Sequence, residues 1–148
     1  MVAKKTLTYM KNIIAFILLG TLLISCNQDI TDMDISKING YWEIKKVVLK
    51  DGEKKDYKIN ETIDYFQLKD KKGFRQKVMP QLDGTYKTNN LKEEISISNE
   101  NGSFFVNYTT SYGKWKEEII EIQDSVLVLK NKDDLEYNYK RYKPFSLK

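Results

Sequence analysis

Between Tyr41 and Phe145, short runs of alternating apolar and polar residues follow one another, with turn residues between them. The run Leu135–Tyr139 is an example, and such alternation places every second side chain on one face of a β-strand. Asp51-Gly52 and Asn101-Gly102 are dipeptides typical of tight hairpin turns. The pattern predicts an all-β domain of about eight to ten short strands, an antiparallel meander that closes into a barrel or pairs into a sandwich.

Aromatic residues are concentrated in this β region. The chain contains two Trp, ten Tyr and six Phe residues, and all of them except Tyr9 and Phe16 lie between residues 41 and 145. Each aromatic side chain can bury about 150–250 Å², which together is enough for one hydrophobic core. A surface that stacks a ligand would use the same residue types. Because aromatic residues dominate ordinary cores, we expect them to pack a single domain over residues 39–148.

Residues 1–25 differ from the rest of the chain and have the parts of a secretory signal. Three lysines come first, the 12-residue apolar run Ile13–Ile24 follows, and the small residue Ser25 ends the segment. The run is too short to cross a membrane, since a spanning helix needs about 20 apolar residues. The sequence therefore predicts a cleaved signal peptide over residues 1–25, and its removal lowers the formal net charge from +4 to +1.

The segment Leu23-Ile24-Ser25-Cys26 resembles the lipobox of bacterial lipoproteins, in which a Cys follows an aliphatic residue and two smaller positions. The resemblance implies that the Cys26 thiol is alkylated by a diacylglyceryl group and that Cys26 becomes the mature N-terminus. One acyl chain anchors a protein only marginally, whereas two or three hold it stably on a membrane. We therefore expect a lipid-anchored protein of the bacterial cell envelope, attached to the outer membrane, with the membrane as its partner.

The residues after Cys26 have the composition of a tether. Residues 27–38 carry Asp29, Asp32 and Asp34 and no aromatic residue, and they lack the turn Gly and further ligands of a Ca²⁺ loop. We interpret residues 26–38 as a lipidated Cys with an acidic tether, and we expect residues 39–148 to fold without it. The acidic stretch also resembles export signals of some surface-exposed lipoproteins, so the side of the membrane stays open.

Composition excludes several kinds of chemistry, because the chain has no His and a single Cys. Catalytic sets that need His cannot be built, and the commonest metal ligand is missing. Neighbouring carboxylates such as Glu93-Glu94 and Glu117-Glu118 point to opposite faces of a strand, although carboxylates distant in sequence could still meet in space. We predict no enzyme activity, no metal site and no cofactor. Basic and acidic residues are interspersed over residues 43–143, so we also expect no nucleic-acid partner.

Gly40-Tyr41-Trp42 in the first predicted strand and Arg141 in the last resemble the Gly-x-Trp start and the late Arg of the lipocalin family. The likeness is greater to small lipocalin-like lipoproteins of bacteria, and it covers residues 39–148. It implies a lipocalin-like barrel in which Trp42 closes the base and Arg141 packs across its ring, so that Gly40, Trp42 and Arg141 serve barrel closure. A full lipocalin is longer and has a helix near its C-terminus, for which this chain has no room after Arg141.

Two functions are compatible with these features. The first is a membrane-anchored lipoprotein whose lipocalin-like barrel binds a small hydrophobic ligand. The second is a structural or protein-interaction lipoprotein of the cell envelope with a filled core and no ligand. A barrel of about eight strands can be filled by side chains or can hold one small ligand. The strand pattern therefore leaves both open and assigns neither ligand-binding residues nor protein partners.

Overall fold

The computed structural model describes residues 29–144, which form one antiparallel sheet of nine strands and a short 3-10 helix, Asp34–Ile38. The strands are β1 (Gly40–Val48), β2 (Lys54–Asp56), β3 (Ile63–Lys69), β4 (Lys72–Pro80), β5 (Tyr86–Glu100), β6 (Ser103–Thr110), β7 (Gly113–Ile122), β8 (Val126–Lys130) and β9 (Glu136–Arg141). In the part of the chain described, no helix is long and apolar enough to span a membrane.

The sheet closes on itself. From β3 to β9 consecutive strands pair, and β1 pairs with both β3 and β9, so that β1 and β3–β9 form a closed barrel of eight strands. Among the described strands, the short strand β2 pairs only with β1 and is an extra strand beside the barrel. The all-β prediction is confirmed, and the sheet forms a closed barrel instead of a sandwich. Closure pairs the edges that an open sheet would leave exposed.

The barrel has two distinct ends. One end, which we call the capped end, contains the start of β1, the end of β9 and the β3–β4, β5–β6 and β7–β8 turns. The 3-10 helix packs against β3 and β7 at this end. The other connections lie at the opposite end, which we call the far end. Buried apolar side chains extend inward from the capped end. They are Trp42, Phe66, Ile95, Ile97, Phe104, Val106, Ile119, Ile122, Leu127 and Leu129.

The 3-10 helix lies in the segment that the sequence assigns to the tether, and for these residues that prediction is wrong. Ile35 and Ile38 are buried against the core. The indole Nε1 of Trp42 donates a 2.7 Å hydrogen bond to the Ile38 carbonyl. Two isoleucines on so short a helix give no periodicity that could be recognised in the sequence. The folded domain therefore begins before residue 39.

An irregularity in β1 decides which of its side chains face the interior. Strict alternation would place Val47 on the face opposite to Trp42. The pairing with β9 shifts between Ile44 and Lys46, and Val47 comes to lie opposite Tyr137 on the interior face. One extra residue in a strand reverses the alternation after it, which is why the local sequence pattern does not show this arrangement.

A second, smaller apolar cluster lies on the outside of the barrel wall. Ile63 and Val78 pair across β3 and β4 on the face opposite to Asp64, and both are buried. Nearby, Tyr86 stacks on Tyr41 with 4.3 Å between ring centroids. Because these strands bury apolar residues on their outer face, the polar residues that alternate with them fall on the inner face.

Candidate functional site

Charged residues of three strands lie inside the barrel toward the far end. Asp64, Arg75 and Glu117 each pair with an apolar core residue of a neighbouring strand, and paired residues share a face of the sheet. Their partners are Trp42, Phe66 and Val106. Asp64 is 1% exposed and Glu117 is 7% exposed. Together with two neighbours they form what we call the charged layer, which consists of Asp64, Arg75, Lys77, Glu93 and Glu117.

Arg75 lies at the centre of the charged layer. Its Nε donates a 2.5 Å hydrogen bond to Glu93 Oε2. Asp64 Oδ1 and Glu117 Oε2 each lie 3.9 Å from a guanidinium nitrogen, and the guanidinium carbon lies 4.5 Å from the centroid of the Tyr108 ring, within cation–π range. Three carboxyl groups that are far apart in sequence therefore converge on one guanidinium.

Asp64 is the most deeply buried member of the charged layer. Lys77 Nζ donates a 2.7 Å hydrogen bond to Asp64 Oδ2, whereas Oδ1 has no hydrogen-bond partner among the described residues. The Lys77 side chain is 56% exposed and reaches this carboxyl group from the solvent side. Leaving a buried polar atom without a partner costs about 1–3 kcal/mol. A hydrogen-bond donor bound at Oδ1 would remove that cost.

Aromatic rings adjoin the charged layer. Trp115 stacks on Tyr108, with ring centroids 5.0 Å apart and an interplanar angle of 9°. The Tyr108 hydroxyl donates a 2.7 Å hydrogen bond to Glu117 Oε2. Trp115 lies close to the β6–β7 turn at the far end and is 37% exposed. The region thus combines buried charges with a flat apolar ring that solvent can reach.

Burial shifts the pKa values of groups in this region. It raises the pKa of Glu117 above its ordinary value, although the Tyr108 hydrogen bond and the Arg75 charge act in the opposite direction. It also raises the pKa of Tyr108 well above its ordinary value, so the hydroxyl keeps the proton that it donates. Burial by itself would lower the pKa of Arg75, but its interactions with Tyr108 and Glu93 raise that pKa. Arg75 therefore stays charged.

The raised pKa of Glu117 predicts a pH dependence of stability. A Glu side chain in an unfolded chain has a pKa of about 4.3. Between that pH and the higher pKa of the folded state, the folded protein holds a proton that the unfolded chain releases. This contribution to stability is fully present below about pH 4.3 and is lost as the pH rises through the folded-state pKa. We expect Glu117→Gln, which mimics the protonated form, to remove that loss in urea-unfolding titrations at increasing pH.

Glu118→Gln is the matched control for this prediction. Glu118 is the next residue of β7 and pairs on the outer face with Phe105 and Lys130. The unfolding free energy of the Glu118→Gln variant should have the same pH profile as that of the unchanged protein. If the Glu117→Gln profile also runs parallel to the unchanged one, the raised pKa is contradicted.

The residues that the sequence assigns to barrel closure lie together at the capped end. Trp42 and Arg141 pair across β1 and β9, and the guanidinium carbon lies 3.8 Å from the Trp42 ring centroid. This is the contact that the lipocalin resemblance implies. Arg141 also donates hydrogen bonds to the backbone carbonyls of Lys37, Asn39 and Asp124. It thereby joins the 3-10 helix and the β7–β8 turn to the base of the barrel.

Gly40 occupies the position beside this contact. Its φ is +110°, a backbone conformation that favours Gly. A Cβ atom at residue 40 would also lie 2.9 Å from Arg141 Nη1. Gly40 therefore lets the guanidinium approach the start of β1. Cys26, the remaining site residue assigned from the sequence, lies outside the described residues.

A groove of about 550 Å³ is also present at the capped end, between the segment 29–37 and strands β6 and β7. Residues at its walls include Ile30, Phe104 and Ile119. We place the candidate site at the charged layer instead, because the layer holds buried charges and one buried carboxyl oxygen, Asp64 Oδ1, that accepts no hydrogen bond from the described residues. Buried charges and buried polar atoms without a hydrogen bond lower the stability of a fold, so stability alone does not explain their presence in this core.

The charged layer is suited to binding. Its carboxyl, guanidinium and ammonium groups, together with the adjacent Tyr108 hydroxyl, can orient a polar ligand, and Trp115 can stack on an apolar one. Residues 29–144 contain no group of three side chains placed to hold a metal ion. The layer was not predicted, because alternation separates the two faces of a strand without showing which face is interior. The available signal was Asp64, which stands between Ile63 and Tyr65 in a predicted strand.

The chain was compared with known proteins. A family model described as a lipocalin-like domain matches residues 38–129. Among solved structures, a lipocalin-like protein from Bacteroides uniformis ATCC 8492 aligns with a TM-score of 0.47 and 13% identity, covering 72% of this chain and 99% of that chain. No curated protein matches the sequence. The family match covers more than half of the chain, and it agrees with the closed eight-stranded barrel. This chain belongs to the lipocalin-like domain family.

Proposed function

We propose that this protein is a lipid-anchored lipoprotein of the bacterial cell envelope, on the outer membrane, whose barrel binds a small molecule at the far end without catalysing a reaction. The observation that carries the ligand-binding part is the charged layer, above all the buried Asp64 Oδ1, which accepts no hydrogen bond from the described residues. Replacing buried charges by apolar residues of similar size is often neutral or stabilising. Residues that break the rules of core packing occur most often at functional sites.

The anchor part of the proposal rests on Cys26 and the signal sequence before it. Ile30 already packs against the barrel core, and it also lines the groove at the capped end. Ile30 is the fourth residue after Cys26, and a fully extended chain covers about 3.3–3.6 Å per residue. A lipidated Cys26 would hold the capped end within about 14 Å of the membrane surface. The far end, with Trp115 and Lys77, would then point away from the membrane into water.

Native mass spectrometry of the protein taken from its own cell envelope tests ligand binding. The mature, lipidated protein is extracted in a mild detergent, and the bound small molecules are released and identified. We expect one compound to accompany the protein reproducibly and to be absent from preparations of Trp115→Ala, which removes the exposed ring. The same set of compounds with both proteins would contradict a ligand site at the far end.

Cys26→Ala tests the anchor. Without the thiol no acyl chain can be attached, so we expect the variant to be exported but to leave the membrane fraction. The measurement is the distribution of the protein between membrane and soluble fractions after cell lysis. Ser36→Ala, a change on an exposed side of the 3-10 helix, is the control and should remain with the membrane. Detergent-dependent membrane attachment of Cys26→Ala would refute the lipid anchor.

A protein-interaction role is the second candidate, and exposed apolar residues favour it. Leu82 lies in the β4–β5 turn, Leu91 lies in β5 where its register with β4 shifts, and both are largely exposed to solvent. Large exposed apolar side chains that cluster can mark a surface for a protein partner. Charging both residues, as in Leu82→Lys and Leu91→Lys, should abolish a protein contact and leave small-molecule binding unchanged.

A further inference from the structure

We propose that the ligand carries a protonated amine, whose ammonium group donates a hydrogen bond to Asp64 Oδ1 while an apolar body lies against Trp115. This inference rests on the proposed ligand-binding function and names the chemical class of its ligand. Asp64 is 1% exposed, and its Oδ1 is a buried acceptor with no donor among the described residues. What the layer lacks is therefore a hydrogen-bond donor at one defined oxygen.

The charges of the layer favour a cation over an anion. Three carboxyl groups, those of Asp64, Glu93 and Glu117, surround two basic groups. The Arg75 guanidinium is already bonded to Glu93 and stacked on Tyr108. A ligand carboxylate at Arg75 would lie close to the carboxyl groups of Glu93 and Glu117 and would be repelled by their negative charge. An ammonium group adds the missing positive charge and displaces no acidic partner.

Lys77 and the proposed ligand would contact the same carboxyl group, that of Asp64. Its ammonium group contacts Asp64 Oδ2 at 2.7 Å, but its side chain is 56% exposed. An exposed lysine chain loses little when it turns back into water, where its ammonium is fully hydrated. Lys77 is therefore a counter-ion that competes from Oδ2 for the charge of Asp64, and it can turn into water when an amine binds at Oδ1.

The aromatic pair beside the layer fits the rest of such a ligand. Trp115 is 37% exposed and stacks on the buried Tyr108, which in turn lies beside the Arg75 guanidinium. An aromatic face attracts a nearby cation and also packs a flat apolar body. A small aromatic or alicyclic amine would use both features, with its charged end inward at Asp64 and its ring outward at Trp115.

Three probes with one ring system test the proposal: 2-naphthylmethylamine, 2-naphthylmethanol and 2-naphthoate. Each is titrated calorimetrically into the mature, lipidated protein in a mild detergent, and titration into detergent alone is subtracted. A hydrogen bond that involves a charged group is worth enough to favour the amine over the alcohol by roughly tenfold or more. We expect Asp64→Asn to abolish that preference. Glu94→Gln, which removes a carboxyl group from the outer face of β5, should keep it.

Lys77→Met provides a second variant that leaves Asp64 in place. It removes the competing ammonium, so we expect tighter binding of the amine and unchanged binding of the alcohol. Near-ultraviolet circular dichroism verifies that each variant is folded, and if Asp64→Asn does not fold, Lys77→Met decides.

Equal affinity for alcohol and amine, or tighter binding of the naphthoate, overturns the amine assignment and leaves ligand binding at the far end standing. Weaker amine binding by Lys77→Met also overturns it. If none of the probes binds, the assignment is overturned, and the small molecules that accompany the protein from the cell envelope decide the proposed function separately.

Discussion

Trp42→Ala is expected to lower the free energy of unfolding by about 3–5 kcal/mol, the usual loss for a deleted core aromatic. The Trp42 side chain is fully buried at the base of the barrel, and its indole Nε1 bonds the Ile38 carbonyl. Arg141→Lys keeps the charge but cannot reproduce the planar guanidinium that lies over the ring and bonds three carbonyls. We expect Arg141→Lys to lower the free energy of unfolding by about 1.5–3 kcal/mol, the usual contribution of a hydrogen bond to a charged group. Urea denaturation measures both losses.

The double variant decides whether the two side chains act as a unit. Residues in contact commonly show coupling of about 0.5–3 kcal/mol, whereas independent residues add. The combined loss should therefore be smaller than the two single losses together. Lys140→Met, at the neighbouring outward position, is a control that should add independently to Trp42→Ala. Strict additivity with Arg141→Lys would show that barrel closure does not depend on this contact.

A fragment that begins at residue 39 is expected to be much less stable than one that begins at residue 29. It lacks Ile35 and Ile38, and burial of each isoleucine is worth about 1.5–3 kcal/mol. It also lacks the Ile38 carbonyl that accepts from Trp42 and the Lys37 carbonyl that accepts from Arg141. The loss approaches the total stability of a small domain, about 5–15 kcal/mol. Thermal unfolding followed by circular dichroism compares the two fragments.

Point substitutions separate packing from chain length in this comparison. Ile38→Ala in the longer fragment should cost about 2–5 kcal/mol. Met33→Ala, in the residue before the helix and 83% exposed, should change the stability by less than about 0.5 kcal/mol. Equal melting temperatures for the fragments starting at 29 and 39 would mean that the 3-10 helix contributes nothing to the fold.

The fold class and one long-range contact could be predicted from the sequence, because both depend on signals that are local and strong. Alternation with Asp-Gly and Asn-Gly turns is specific to hairpin strands. Trp42 and Arg141 could be paired only through a family resemblance, since nothing local connects residues so far apart. The closure of the sheet makes them neighbours in the register of β1 and β9.

The interior of the barrel could not be predicted in the same way. By their hydrophobicity, Phe74 and Val78 would be placed on the interior face of β4, and Arg75 and Lys77 on its outer face. The register of β3 with β4 instead puts Phe74 and Val78 on the outer face and Arg75 and Lys77 on the inner face. Whether a face of β4 is inside depends on what covers its other face, and here the outer aromatic cluster around Tyr86 covers it. Carboxyl groups that are distant in sequence, such as those of Asp64 and Glu117, likewise come together beside Arg75. Their proximity depends on the register of the strands, which the spacing of residues in the sequence does not show.

The pairing of β1 with β9 also sets the order in which the barrel can assemble. The other neighbouring strands of the barrel are joined by short connections, except β1 and β3, which are joined through β2, and these pairs can form soon after their residues are available. The β1–β9 ladder joins Trp42 to Arg141, so it must wait for nearly the whole chain, and loop closure over that length is unfavourable until the other strands have formed. Until β9 arrives, β1 presents an open edge that other chains could pair with. Aggregation during folding should therefore begin at this seam.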